Sequence, residues 1–352
     1  MFVCDAAFES QARGLMAHAL VPVRVQRIAA GKLRRYHNQT WRETVTDWRT
    51  IVFNIRDIGR IGVGFLQSLW LLARFRPDVV FAKGGYVCLP LGLAAKMCRI
   101  PLVIHDSDTR PGLTNSILGR FADVIATGSP LENYRYPKGR SHYIGVPIDA
   151  AFHPFSAKEQ RQAKSDLGLV DINAPLVVVT GGGLGAKSIN TAISRDAPTI
   201  LAAGIQIYHI SGKAHHEAMQ QLTPAHPHYH LVPFVYTGMD QVLGAADVIV
   251  SRGSATFLQE MAALAKPVIV VPSKYLGDQI KNTQVFDNAG AIVALSDDDI
   301  AVAGKLGDAI CRLATSEKRQ RDLSQKLHRF AKPHAARDLA QLILSAYRKA
   351  AG

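Results

Sequence analysis

Cysteine, acidic side chains and long apolar runs are all scarce in this chain of 352 residues. The four cysteines (Cys4, Cys88, Cys98, Cys311) are scattered and form no C-x-x-C pair. That excludes a disulfide framework and fits a reduced, cytosolic protein. The longest apolar run, Ile61 to Ala73, is broken by Gln67 and Ser68. It falls short of the roughly 20 residues a spanning helix needs, so any membrane contact is expected to be peripheral. The start Met1-Phe2-Val3-Cys4-Asp5 has neither a basic n-region nor a long apolar h-region, and so does not read as a signal peptide. Asp and Glu number only 28 against 41 Lys and Arg, a formal charge of +13. Such an excess suits a polyanionic partner. Zinc-finger spacing, a basic stripe interleaved with aromatics and RNA-binding signatures are missing, which argues against nucleic acid and leaves anionic lipid or a diphosphate substrate.

What the chain does contain is a 48% hydrophobic composition, sufficient for two cores, distributed as short continuous apolar segments between helical patterns. These segments are 78–82, 101–105, 124–126, 176–180, 205–210, 248–250 and 268–271. Alternation of this kind predicts an α/β fold with parallel sheets buried on both faces. The segments beginning at Asp78 and Asp247 share one order: Asp, apolar strand, cation, Gly, helix with Ala-Ala, Pro, apolar strand. That echo predicts two equivalent, doubly wound domains. The Gly145 to Pro154 stretch, with its glycine and two prolines, marks the boundary. The expected division is 1–148, 149–334, and a final helix, 335–352, crossing back to the first domain.

The segment Asp247 to Asn282 carries most of the chemistry. It predicts a strand ending in Ser251-Arg252-Gly253-Ser254, a helix from about Thr256 to Leu264, a second strand, and a loop bearing Asp278, Gln279 and Asn282. A phosphate fits the helix start at Ser254-Ala255-Thr256, and Glu260 one turn later can accept two hydrogen bonds from a ribose diol. The strand ending at Thr180 runs into Gly181-Gly182-Gly183-Leu184-Gly185, another turn whose N–H groups can approach a diphosphate. A tight turn that binds nothing is the common alternative for a lone glycine loop. The next strand ends in Ile210-Ser211-Gly212-Lys213 and not in the acid a nicotinamide cofactor requires. Lys83-Gly84-Gly85-Tyr86 and His105-Asp106-Ser107-Asp108 follow successive strands of the first half, at the strand ends where open sheets bind ligands. Helix Ile61 to Arg76 carries Ile61, Phe65, Leu69 and Leu72 on a stripe expected to face the core, with Trp70 beside it. Lys32, Arg34, Arg35 and His37 make a peripheral lipid contact the minority reading. The histidines at 215, 216, 226, 228 and 230 lack zinc spacing, so no metal is expected.

Together these segments resemble the MurG-type N-acetylglucosaminyltransferases of peptidoglycan synthesis. The matching pieces are Gly31 to Tyr36, Lys83 to Val87, Ile104 to Asn115, Gly181 to Asn190, Phe234-Val235, and Ser251 to Asn282 with Gly277-Asp278-Gln279. They run in family order over nearly the whole chain. The resemblance implies a GT-B fold, two Rossmann-like domains facing a cleft, with UDP-GlcNAc in the second domain and an undecaprenyl-diphosphate-linked acceptor in the first. It implies that Glu260 holds the ribose and that Phe234 and Val235 flank the uracil. Ser254, Ala255, Thr256 and the loop of Gly181, Gly182, Gly183 and Gly185 then face the diphosphate, with Arg252 beside them, and Asp278 and Gln279 the sugar. Lys83, Gly84, Gly85, Tyr86 and Asn115 fall to the acceptor. It also implies inversion without metal or cofactor, by an enzyme peripheral to the cytoplasmic face of the bacterial membrane.

The chain departs from that family at its start. Members begin with a strand and a GGTGGH loop whose histidine is a candidate base, whereas this chain opens at what reads as the second strand. A strand, loop and helix, on the order of 30 residues, are missing from the pattern, and truncation is the favoured reading. The first strand of a doubly wound sheet is central, so its loss predicts unpaired neighbours and a hole in the core. His105, Asp106 and Asp108 are then the candidates for the base. Gly183 replaces the usual Ser, Asp106 the common Glu, and Val146 and Asp149 fill a hinge that often reads Asn-Pro-x-Arg. GVPIDAAF, from Gly145, keeps diacylglycerol glycosyltransferases open as an alternative, alongside a non-catalytic nucleotide-sugar-binding protein.

Overall fold

Residues 1–32, 48–182 and 185–351 are described by the computed structural model. The chain divides into two compact units, Met1–Ile144 with Arg337–Gly352, and Gly145–Ala336.

The first unit holds β1 (Phe2–Cys4) and β2 (Val25–Arg27), paired in parallel. A separate parallel sheet runs β3 (Val80–Ala82), β4 (Leu102–Asp106), β5 (Val124–Thr127) and β6 (Ser141–Tyr143). Successive side chains on a strand point to opposite faces. Accordingly Leu102 and Ile104 of β4 pack with Leu72, Ala94 and Leu118 from helices on one face. Val103, with Val124 and Ala126, meets Leu339, Leu342, Ile343 and Ala346 of helix Ala335–Ala351 on the other. Among the described residues β1 pairs only with β2 and β3 only with β4, and a cavity of about 730 Å³, lined by Phe2, Cys4, Val80, Phe81 and Leu91, lies between them.

Helix Trp48–Phe75 begins well before the expected Ile61. Its inward face carries Ile61, Phe65, Leu69 and Leu72 as anticipated. The helix passes so close to the preceding chain that a Cβ on Gly64 would lie 1.9 Å from the Ala29 carbonyl oxygen.

In the second unit, strands β7 (Leu176–Thr180), β8 (Gln206–Ile210), β9 (Tyr229–Val232), β10 (Val248–Ser251), β11 (Val268–Val270) and β12 (Val293–Ala294) form one parallel sheet. Their order is β12-β11-β10-β7-β8-β9. Numbered within the unit, that is the 3-2-1-4-5-6 arrangement, which reverses direction between β7 and β10. The crevice at such a reversal, beyond the carboxyl ends of the strands, is where doubly wound sheets bind ligands. Helix Lys187–Ala202 and helix Lys305–Ala314 cover one face through Ile189, Ile193, Ile200 and Ile310. Helix Ala255–Leu264 and helix Met239–Ala245 cover the other through Leu258, Met261 and Leu243.

The sequence echo has a structural counterpart: β3, helix Cys88–Met97 and β4 repeat the order of β10, helix Ala255–Leu264 and β11, with both strand pairs parallel. Carboxylates before two strands also play matching roles. Asp247, just before β10, accepts from the Leu176 N–H at 2.8 Å and from Lys164 Nζ at 2.7 Å. Asp123, just before β5, accepts from the Leu102 N–H at 2.8 Å and from Lys96 Nζ at 2.9 Å. Each carboxylate ties the start of one strand to its neighbour. Lys164 is 6% exposed, whereas Lys96 is 30% exposed. Asp247→Ala therefore strands a buried ammonium and should destabilise the protein by about 3 kcal/mol. Asp123→Ala should lose only about 1 kcal/mol, because water replaces the partner. Urea denaturation of the two variants gives the comparison.

Candidate functional site

Two turns meet the switch point of the second unit. After β7, Gly182 and Gly185 take φ of 79° and 77°, in the left-handed region glycine favours. Gly181 is packed so closely that a Cβ would lie 2.1 Å from the Ala186 nitrogen. Part of this loop's glycine content is thus required by the turn itself. Gly183 and Leu184 lie outside the described residues. Helix Lys187–Ala202 follows, and its N-cap residue, Ala186, makes no side-chain capping bond. Its leading N–H groups are left for water or an anion.

After β10, Gly253 lets helix Gly277–Asn288 approach, since a Cβ there would lie 2.2 Å from Thr283 Oγ1. Ser254 caps helix Ala255–Leu264 by accepting from the Phe257 N–H at 3.3 Å. That occupies the Ser254 oxygen while leaving the N–H groups of Ala255 and Thr256 at the helix start. Asp278 and Gln279, expected in a loop, instead form the first turn of helix Gly277–Asn288. Apolar periodicity is weak there, and Asn282 and Thr283 are its buried side chains, so the pattern did not announce a helix. Asn282 donates to the Gly253 carbonyl at 3.3 Å, and Gln279 Oε1 accepts from the Ser273 N–H at 3.0 Å.

Glu260, on the helix that starts at this turn, is half-buried, and burial pushes its carboxyl up to about 7. Among the described residues it has no hydrogen-bond donor or cation. A desolvated carboxylate without a partner at a ligand crevice is a functional candidate. Arg252 is placed differently from the expectation. Its guanidinium bonds Asp297 Oδ1 at 2.9 Å, the Val271 carbonyl at 3.0 Å and Ser188 Oγ at 2.8 Å. It stitches β10, β11 and two helix starts together, and its charge is met inside the protein. Sequence reasoning had no means of pairing Arg252 with Asp297 or Ser188, which lie far away along the chain.

Phe234 and Val235 follow β9, and both are half-buried. Val235 packs into the core beside Met239, while Phe234 meets Tyr236 edge to face with centroids 5.0 Å apart. The neighbouring histidines are engaged locally. His209 bonds Tyr229 and Asn190 at 2.8 and 3.0 Å, and burial lowers it to about 4. His216 lies 3.2 Å from Ser211 Oγ, and His228 lies 3.1 Å from Gln206. Among the described residues no cluster of His, Cys, Asp and Glu is arranged to hold a metal ion.

In the first unit, Gly84 and Gly85 take φ of 102° and 84° after β3. A Cβ on Gly84 would lie 3.2 Å from Asn115 Nδ2. Asn115 donates to the His105 carbonyl at 3.0 Å, and among the described residues its buried Oδ1 has no partner. Tyr86 donates to Asp5, and burial together with that carboxylate raises its hydroxyl to about 12. Lys83 is exposed. His105 and Asp106 correct the expectation for strand-end bases: both belong to β4 itself and are buried, at 0% and 4% exposure. His105 Nδ1 lies 3.3 Å from Ser107 Oγ, and Tyr136 donates to Asp106 at 2.7 Å. Asp108 alone of the three lies past the strand and is half-exposed. Tyr134 and Tyr136, stacked at 5.6 Å, brace this corner and were not singled out from sequence. Of the Gly31 to Tyr36 motif, positions 33–36 lie outside the described residues, as do Arg34, Arg35 and His37.

Comparison with known proteins gives the family and the fold. Residues 20–127 match the N-terminal domain and residues 176–343 the C-terminal domain of glycosyltransferase family 28. The chain is 34% identical over 278 residues to a UDP-N-acetylglucosamine–N-acetylmuramyl-(pentapeptide) pyrophosphoryl-undecaprenol N-acetylglucosamine transferase of Shouchella clausii, covering 78% of this chain and 72% of that protein. It is 30% identical to the enzyme of the same name from Geobacillus thermodenitrificans, covering 85% and 79%. The fold superposes on MurG of Acinetobacter baumannii with a TM-score of 0.70 at 20% identity, over 95% of this chain and 88% of that one. It also superposes on UDP-GlcNAc 2-epimerase from Neisseria meningitidis with a TM-score of 0.63 at 13% identity, over 97% and 91%. The fold is therefore GT-B, and the chain belongs to the MurG-type transferases of glycosyltransferase family 28.

Proposed function

We propose that this protein transfers GlcNAc from UDP-GlcNAc to undecaprenyl-diphosphate-linked N-acetylmuramyl-pentapeptide, with inversion. The observation that carries the donor half is Glu260, a desolvated carboxylate without a partner, at the switch point between two helix starts. Its two oxygens suit the ribose diol, and the N–H groups of the glycine loop, Ala255 and Thr256 suit the diphosphate and the departing UDP. Asp278 and Gln279, one turn into the neighbouring helix, are assigned to the sugar hydroxyls. In the first unit the Lys83 ammonium, the left-handed Gly84-Gly85 turn and the unpartnered Asn115 Oδ1 support an acceptor carrying both phosphate and hydrogen-bond donors. Of the three candidate bases, Asp108 is the one with solvent access, and we assign it to the acceptor hydroxyl. Incubation with labelled UDP-GlcNAc, the lipid-linked muramyl-pentapeptide and diacylglycerol together should move label into the muramyl-pentapeptide lipid. Label appearing only on diacylglycerol would reject the acceptor assignment, and Asp108→Asn with unchanged kcat would reject that base.

Helix Trp48–Phe75 supports peripheral attachment to an anionic membrane. Ile55, Leu66 and Trp70 are 64%, 66% and 65% exposed, at spacings that put them together on its outer face. Exposed Arg60 and Arg74 lie on the same helix, with Arg74 5.9 Å from the Trp70 ring. An apolar stripe edged by cations is the pattern of an interfacial helix. Among the described residues no helix is long and apolar enough to cross a membrane. The Leu66→Ser, Trp70→Ser double variant should bind phosphatidylglycerol vesicles roughly 10–100-fold more weakly, from about 1.5–3 kcal/mol for a large apolar group. Its affinity for UDP should not change. Flotation assays with unaltered vesicle binding would reject this surface.

A further inference from the structure

We propose that Lys213 is a donor-binding residue that covers the Phe234 ring until a nucleoside diphosphate arrives, making recognition of the base conditional on the diphosphate. The inference rests on the nucleotide-sugar reading of the second unit and names a residue that reading did not include.

Lys213 follows β8 on a loop pressed against the glycine turn. A Cβ on Gly185 would lie 2.4 Å from the Ser211 carbonyl oxygen and 3.0 Å from His215 Cδ2. The side chain turns to the aromatic pair beyond β9, with Nζ 5.1 Å from the Phe234 centroid and 4.4 Å from that of Tyr236. Tyr236 is 75% exposed, so the pair is open to solvent. Among the described residues no carboxylate pairs with Lys213. An unneutralised ammonium thus rests on two ring faces, one loop away from the glycine turn assigned to the diphosphate.

The relative strengths of the competing contacts give this arrangement a direction. A cation over exposed rings gains roughly a factor of two to five in an equilibrium. The same cation about 4 Å from a phosphate charge gains on the order of a hundredfold or more. Arrival of a diphosphate therefore draws the ammonium off the rings and uncovers Phe234, whose face can stack a base for roughly a tenfold gain. A nucleoside without phosphates must displace the ammonium and receives nothing in exchange. Lys213 acts as a latch that only a ligand bearing both parts opens.

Calorimetry with UDP, and with uridine by competition against UDP, tests this on the full chain. Lys213→Met keeps an unbranched side chain one atom shorter and removes its charge, at an exposed position. The variant should bind UDP at least tenfold more weakly while uridine binds as well as before or better. The wild-type preference for UDP over uridine then collapses by at least tenfold, and the salt dependence of UDP binding flattens. An unchanged preference in Lys213→Met overturns the latch. Glu260→Gln separates this from failure of the underlying reading, because it should weaken UDP and uridine by the same factor. If Glu260→Gln leaves both affinities at wild-type values, the site reading fails and the latch with it.

Discussion

Glu260→Gln should make the protein more stable at pH 8 and nearly unable to hold its donor. Burial pushes the Glu260 carboxyl from an ordinary 4.5 to about 7. Below about 4.5 the group is protonated in both folded and unfolded chains and contributes no difference. Between 4.5 and 7 the unfolded chain releases its proton while the folded one keeps it, so folding stability falls as pH rises through that window. Above 7 the penalty stays constant at no more than about 3 kcal/mol. Gln carries no charge and escapes the penalty, so the variant should gain stability over wild type at pH 8 and show no gain at pH 4. The same charge is what the ribose hydroxyls need as acceptor. Two hydrogen bonds to an ionised group correspond to about 3 kcal/mol together, or roughly a hundredfold in UDP affinity. Wild-type UDP affinity should rise as pH rises through 7, with release of a proton on binding. Calorimetry in two buffers of different ionisation enthalpy measures that proton, and thermal melts at pH 4 and pH 8 measure the stability. A Gln variant with wild-type affinity removes Glu260 from the site.

Arg252→Ala should be among the most destabilising changes near the site. The Asp297 side chain is 8% exposed and Arg252 14%. Burial alone would raise the Asp297 carboxyl, but hydrogen bonds from Ser188 and the Lys274 N–H, together with Arg252, outweigh it and hold the group below its usual value. Removing the guanidinium strands the carboxylate and leaves the Val271 carbonyl without its donor, a loss of about 3 kcal/mol or more. Because the folded carboxyl is depressed, its contribution is present above the unfolded value of 3.8 and disappears as pH falls through the folded one. The gap between wild type and variant should accordingly be widest near neutral pH and shrink in acid. Arg252→Lys restores charge but cannot span three acceptors from one ammonium, so it should recover only part of the loss. Urea titrations across pH measure both variants. Equal stability of Arg252→Ala and wild type at pH 7 would show that the network is dispensable.

The candidate site was legible from the sequence to an uneven degree, and the reasons are physical. Glu260 was readable because local order alone placed a carboxylate one turn past a strand-to-helix turn. Asp278 and Gln279 were placed in a loop because helix Gly277–Asn288 buries Asn282 and Thr283 through hydrogen bonds and has little apolar periodicity to detect. His105 and Asp106 read as strand-end chemistry, yet the strand continues through them and buries both. Strands β2, β6, β9 and β12 went unread because they are short or half-exposed and carry no apolar run.

By itself, the sequence determined the α/β class, the interior strands of both parallel sheets, the two glycine turns and the family. Those follow from periodicity and from residues a few positions apart, whose geometry the backbone dictates. Only the tertiary structure decided that Arg252 pairs with Asp297, that Lys213 lies on Phe234, and that helix Trp48–Phe75 shows a second apolar stripe outward. Each of these depends on which distant segments meet, and a partner brought by packing leaves no mark in the spacing of neighbours along the chain.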